Sequence, residues 1–283
     1  MKKLLKIISP ALLCAVLLSS TAFSPEAKVK FKNQWKQIDG NLYARTTELS
    51  VLDYQEFLHD AAPEIAAQHA FDTTVWSNPF KYFEPYKEQY TRHPAFQNYP
   101  AVGISHEGAK AYCKWLTEVM NNMEDSYIPF KKVLFRLPTE EEWEKAAAAD
   151  IAEPIFPWET PKGIGHPGWV FTKKGNLYAN FKVIDQSFIR MDEETGESII
   201  VDKGTDYSAD GYMITAPVRS FFPNPWGIYH MAGNVSEMID TPGIAKGGSW
   251  NSTGYYLRIK SQESYKEPSA QVGFRIFMEV LEE

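Results

Sequence analysis

Thiols are the first chemistry to look for, and the chain has two cysteines, Cys14 and Cys113. Cys14 lies in an apolar N-terminal run. A chain that loses that run keeps Cys113 alone and has neither an internal disulfide nor a thiol pair. Cys113 recurs with Ala109, Tyr112, Leu116 and Met120 at helical spacing, which reads it as a buried small hydrophobe rather than a reactive thiol. The carboxylates are the next candidates. Glu140, Glu141 and Glu142 directly follow Pro138 and Thr139, where negative charge suits the positive end of a helix, and capping is a better reading than acid catalysis. The segment Asp192–Asp210, with Glu193, Glu194, Glu197, Asp202 and Asp206, reads as a solvated hairpin face rather than a metal cluster. The aromatic, Pro-rich stretch Asn78–Pro100 holds Phe80, Tyr82, Phe83, Tyr86, Tyr90 and Phe96. It suits a loop packed on the core, or the lining of a glycan or peptide groove. There is no Ser-His-Asp ordering, no phosphate-cradling glycine loop and no His/Cys zinc spacing.

Three helices must position these groups. The first is expected over Val51–Leu58, with Ser50 and Asp53 offering a capping box. The second follows Ser105 and buries the Cys113 stripe. The third follows Pro138, capped by Thr139 and Glu142, with Trp143, Ala146 and Ala147 facing inward. Beyond Asp150 short strands are expected at Gly168–Thr172, Ser187–Met191 and Ser198–Asp202, the last two joined by a turn at Glu193–Gly196. Further strands are expected around Gly247–Trp250, Tyr255–Leu257 and Val272–Phe277. The class is α+β with low regular secondary structure.

The N-terminus carries Lys2 and Lys3, an apolar run from Leu4 to about Leu18, and then Ser19–Ala22. That order is a secretory signal peptide over residues 1–22, with Phe23 starting the mature chain. Cys14 follows Leu12 and Leu13, which are not the small residues a lipid-attachment site takes. Residues 23–42 read as a polar lead-in and 43–283 as one domain. The expected location is therefore the periplasm or the cell surface, with no transmembrane span in the mature chain. A net charge of −7 argues against a nucleic-acid partner.

Four phrases occur in order: FRLPTEEEWEKAA (Phe135–Ala147), NPWGIYHMAGNVSEM (Asn224–Met238), KGGSWNS (Lys246–Ser252) and VGFRIF (Val272–Phe277). With HPAFQNYPAVGISHEGAKAYCKWL (His93–Leu116) upstream, the chain from about 42 to 281 resembles the formylglycine-generating enzyme family, also called the sulfatase-modifying factor domain. The resemblance implies a variant of the C-type lectin fold. In catalytic members two cysteines bind copper and activate oxygen to convert a sulfatase cysteine to formylglycine. Here the first falls at Ser252 and the second near Leu257. A hydroxyl is no substitute for a thiolate on Cu(I), so the resemblance implies a non-catalytic member, a pseudoenzyme, with copper not expected. The family's pocket serine matches Ser249, beside Trp250 and Ser252, and a substrate-lining tryptophan is replaced by Met238.

The family's calcium sites imply two further sets. One is the Asn180 side chain and Phe181 carbonyl with Asp210 and the Tyr212 carbonyl; Asp210–Gly211 is otherwise a plain turn. The other is the carbonyls of Gly233 and Val235 with Glu237, its fourth position being His230, a poor calcium ligand. A structural disulfide of relatives would join Cys113 to the position of Ile276. The phrase HPAFQNYP and the missing thiols resemble the branch in Bacteroidetes gliding-motility and type IX secretion proteins. The expected function is an exported binding or scaffold module whose partner is an envelope protein, a peptide or a glycan. A formylglycine-generating oxidoreductase is the alternative. Arg275 reads as a structural ion pair or backbone clamp.

Overall fold

A computed structural model describes residues 25–77, 83–123, 126–158, 176–183, 189–191, 198–200 and 211–283. Six α-helices are found among them: α1 (Pro25–Gln34), α2 (Val51–Asp60), α3 (Pro63–Gln68), α4 (Glu84–Gln89), α5 (His106–Asn122) and α6 (Glu140–Ala148). The strands are β1 (Trp35–Asp39), β2 (Leu42–Arg45), β3 (Lys132–Arg136), β4 (Ile189–Met191), β5 (Ser198–Ile200), β6 (Ser236–Met238), β7 (Ile244–Lys246), β8 (Gln262–Ser264), β9 (Val272–Phe274) and β10 (Phe277–Glu282). No helix among the described residues is long and apolar enough to cross a membrane.

The first sheet has the order β1-β2-β10-β3 and is antiparallel throughout. Side chains alternate across it, as the pleat requires. Met278 and Val280 join Tyr112, Cys113 and Leu116 of α5 in one core. Phe277 and Ala44 join Trp143, Ala146 and Ala147 of α6 in another. A helix therefore covers each face, placed there by the apolar spacing of its own sequence. Edge strand β3 is closed by α5. Thr117 Oγ1 accepts from the Phe135 amide at 2.9 Å, and Asn121 both accepts from and donates to the Val133 backbone at 2.9 Å. This removes the open edge that would otherwise invite pairing.

The capping boxes expected at Ser50/Asp53 and Thr139/Glu142 are both present. The polar lead-in is corrected: residues 25–34 are helical, and Trp35–Asp39 is a strand of the main sheet with Trp35 and Ile38 buried. A register shift between Gln37 and Asp39 breaks the alternation that would have marked this strand. β4 and β5 pair antiparallel as the expected hairpin. Its turn at 192–197, most of the acidic segment, and the strand at Gly168–Thr172 lie outside the described residues.

The second sheet has the order β8-β7-β6-β9, with β6 and β9 parallel. It ends at Lys246 because Gly247 and Gly248 take φ of 89° and 70°, a turn that β-structure cannot continue through. Tyr255–Leu257 is a run of turns rather than the expected strand, and Leu257 is driven into an apolar cluster with Phe156, Ala179 and Phe181. In the aromatic stretch, Phe83 and Tyr90 are buried against Trp76 and Trp250, which favours the packed-loop reading for these residues. Phe80 and Tyr82 lie outside the described residues.

Candidate functional site: a serine–carboxylate cluster beside a buried ion pair

Two adjacent residues of β6 point to opposite faces and organise two polar clusters. Ser236 serves the first. Its hydroxyl donates to Glu263, and its amide donates to the Gln271 carbonyl at 2.9 Å. Ser252 Oγ donates to the same carboxylate, 2.8 and 3.0 Å from its two oxygens. Ser249 Oγ lies 2.8 Å from Ser252 Oγ and 3.3 Å from Gln271 Oε1, and with Ser252 donating to Glu263 the single Ser249 proton is shared between these two acceptors. The Ser249 amide also donates to Ser252 Oγ at 2.9 Å. Ser249, Ser252 and Ser236 are buried while Glu263 is half-buried. The Ser252 hydroxyl thus spends its proton on Glu263 and accepts from the Ser249 amide. Trp250 anchors the loop by burying its ring and donating Nε1 to the Ala270 carbonyl at 3.0 Å.

Glu237 serves the second cluster. Its carboxylate takes Arg275 Nη2 at 2.6 Å and Nε at 3.0 Å, and Trp143 Nε1 at 2.7 Å. Arg275 also donates to the carbonyls of Arg45 and Tyr229 at 2.9 and 2.7 Å. It is both ion pair and backbone clamp. Beside this pair, Glu48 is fully buried, with Oε2 accepting from Asn234 Nδ2 at 2.9 Å and Oε1 without a partner. Burial pushes its carboxyl well above the usual range, and the nearby Glu237 adds to that, because one guanidinium serves two carboxylates. Asn234 joins the clusters: its amide donates to the Asn180 carbonyl at 2.8 Å and its carbonyl accepts from the Trp250 amide at 2.9 Å. Gly233, at φ 74°, is required here, since a Cβ would lie 2.3 Å from the Asn180 oxygen.

His230, at φ 53°, is buried, and burial lowers it to about 3. A neutral imidazole beside the Pro217 carbonyl, 3.2 Å from Nε2, carries its proton on that nitrogen and leaves Nδ1 an acceptor with no partner.

The two cation sets fare differently as chemistry. Glu237 does not fit calcium: both oxygens are taken by Arg275 and Trp143, and a cation there would face the guanidinium. In the other set Asn180 Nδ2 donates to the Ile214 carbonyl at 2.8 Å, so Oδ1 is the end left for a hard cation. Phe181 is buried beside it, Tyr212 is described, and Asp210 lies outside the described residues. Among the described residues no group of three or more His, Cys, Asp or Glu side chains is placed to hold a metal. Cys113 and Ile276 share one apolar core, and burial pushes the thiol up to about 12. A groove of about 580 Å³ between α5 and β3 and a polar cleft of about 390 Å³ beside α6 both stand apart from the serine cluster.

Sequence reasoning did not single out Glu263, Gln271 or Glu48. Glu263 lies in a polar stretch with nothing to distinguish it. Glu48 had a signal, being the one charge in the run Thr46–Ser50, where every residue is buried.

The family model described as "Sulfatase-modifying factor enzyme 1-like domain" matches residues 36–280. The chain is 27% identical over 223 residues to the formylglycine-generating enzyme of Mus musculus, covering 71% of this chain and 48% of that protein. It is 33% identical over 144 residues to that of Thermomonospora curvata, covering 50% and 32%. A third relative, the inactive C-alpha-formylglycine-generating enzyme 2 of Bos taurus, is 27% identical over 193 residues, covering 62% and 49%. The chain spans about half, or less, of the length of these relatives.

Proposed function

The chain belongs to the sulfatase-modifying factor enzyme 1-like domain family, and from that premise we propose that it is an exported binding or scaffold module that keeps the family frame without its copper–thiol oxidation. The carrying observation is the state of Ser252 and of the stretch near Leu257. Ser252 is buried with its hydroxyl committed to Glu263 and Ser249, and Leu257 is fully buried among apolar side chains. Neither offers a soft sulfur ligand, and no cysteine follows Cys113. Fold alone does not carry activity; the site does. The relative from Bos taurus named as inactive gives a precedent within the family.

The finer reading places the protein in the bacterial envelope, with a gliding or type IX secretion machinery as its setting and an envelope protein, a peptide or a glycan as its partner. Calcium on Asn180, Phe181, Asp210 and Tyr212 belongs to the same reading, as a structural ion. Affinity capture from the native envelope tests the module role: the expected result is a stoichiometric, reproducible partner. Titration with Cu(I) against a chromophoric chelator tests the chemistry. No tight copper binding is expected, and stoichiometric binding would overturn the reading. Thermal melting with calcium and with chelator tests the ion, since a site present only in the folded state raises the melting temperature.

A further inference from the structure

Charge is distributed unevenly along this chain. In the processed chain, residues 23–36 hold four lysines and one glutamate, a net +3. The whole chain is −7 and residues 1–36, signal segment included, carry +6, so residues 37–283 carry −13. Such a split marks one end of a protein for an anionic partner.

The structure fixes where that end lies. Helix α1 is docked by Phe31, whose ring packs edge-on against Tyr43 at 5.7 Å and Phe130 at 5.8 Å. Its last carbonyls are held in place. Gln34 accepts from the Thr46 amide at 2.8 Å, and Asn33 accepts from Thr46 Oγ1 at 2.7 Å and Arg219 Nη2 at 2.8 Å. Lys30 lies over the Tyr127 ring at 4.4 Å and Lys36 over Trp226 at 5.8 Å. Lys28 and Lys32 are exposed one turn apart, with Val29 between them at 58% exposure. The two ammonium groups therefore project together from a helix that cannot swing away.

The sequence also says what lies nearby. The apolar run from Leu4 to about Leu18 ends a few residues before α1. Six extended residues reach about 20 Å, so in the unprocessed precursor, while that run occupies a bilayer, α1 stands close to its surface.

We propose that the exposed Lys28–Lys32 face of α1 is a contact surface for an anionic lipid membrane. The acidic body is repelled by such a surface and α1 is attracted to it, so the contact also sets which pole of the protein faces the lipid. The contact is electrostatic, since Val29 is the one exposed large apolar side chain among the described residues of α1. Each lysine near an anionic surface contributes about a fivefold gain in partitioning, and the gain fades with salt.

The test is co-sedimentation of the processed, full-length exported protein with vesicles of phosphatidylcholine alone or with about a third phosphatidylglycerol, at about 50 and about 500 mM salt. Partitioning onto the anionic vesicles is expected to exceed that onto neutral ones at least tenfold at low salt and to collapse at high salt. Lys28→Glu with Lys32→Glu should abolish the difference, and Lys28→Arg with Lys32→Arg should preserve it. Equal partitioning onto both vesicles, or a charge-reversed variant that binds like the parent, overturns the proposal. Capture of an acidic envelope protein through the same lysines, with anionic vesicles ignored, would assign the face to a protein and overturn it as well.

Discussion

The serine cluster around Glu263 and the ion pair around Arg275 are fed by neighbouring residues of one strand, yet they differ in kind. Glu237 and Arg275 are fully buried and saturate each other, with Trp143 and two backbone carbonyls completing the set. Glu263 is half-buried and is solvated by serine hydroxyls. The first cluster is worth most when intact, because removing one member strands a charge in a medium that cannot solvate it. The second can exchange a lost hydroxyl for water. The frame and the site have therefore been decoupled: the polar core that holds the loops survives whatever residue stands at position 252.

Breaking the core should be the largest effect. Arg275→Ala leaves Glu237 without its counter-charge and is expected to cost about 3–5 kcal/mol, read by urea unfolding at neutral pH. A cost below about 1 kcal/mol would make the two regions equivalent and erase the contrast.

The next effect is a pH dependence on the same side of the molecule. The folded pKa of His230, about 3, lies below its ordinary 6.5, so the unfolded chain takes up the proton first on acidification. The contribution of His230 is present above about pH 6.5 and is lost as the pH falls towards 3, by about 1.4 kcal/mol per pH unit. His230→Asn, which suits the positive φ, should flatten the acid limb of a stability–pH curve relative to the parent.

Glu48 has the opposite sign. Its folded carboxyl titrates well above its unfolded value, so stability falls as the pH rises from about 4. Glu48→Gln keeps an acceptor for Asn234 and should stabilise the protein at pH 7–8 by about 1–2 kcal/mol, seen as a higher melting temperature whose margin shrinks towards pH 4.

An effect of similar size belongs to the serine cluster. Ser252→Ala removes one hydroxyl from a half-buried carboxylate and the acceptor of the buried Ser249 amide, and about 1–2 kcal/mol is expected. A loss as large as that of Arg275→Ala would mean the cluster is a second keystone rather than a tolerant site.

Much of the scaffold could be read from local pattern. Ser50, Ser105 and Thr139 announce their helices because a cap and its partner lie within three residues of each other. The positive φ at Gly233, Gly247 and Gly248 agrees with the freedom glycine provides. The clusters were harder to see, because their partners are distant in sequence: Glu48 meets Asn234 across 186 positions and Trp143 meets Glu237 across 94. Periodicity carries no signal across such gaps. The bulge of strand β1 hides its alternation, and Tyr255–Leu257 reads as a strand because aromatic enrichment does not distinguish a strand from a turn that buries one apolar residue.

The account stands on Ser252 and Leu257 being unable to support copper–thiol oxidation. The direct measurement incubates the protein with Cu(I), oxygen, a thiol reductant that supplies the two further electrons, and a cysteine-containing sulfatase peptide, and follows loss of the thiol to an aldehyde by mass. The account predicts no aldehyde above a protein-free control. Copper- and oxygen-dependent turnover would contradict it.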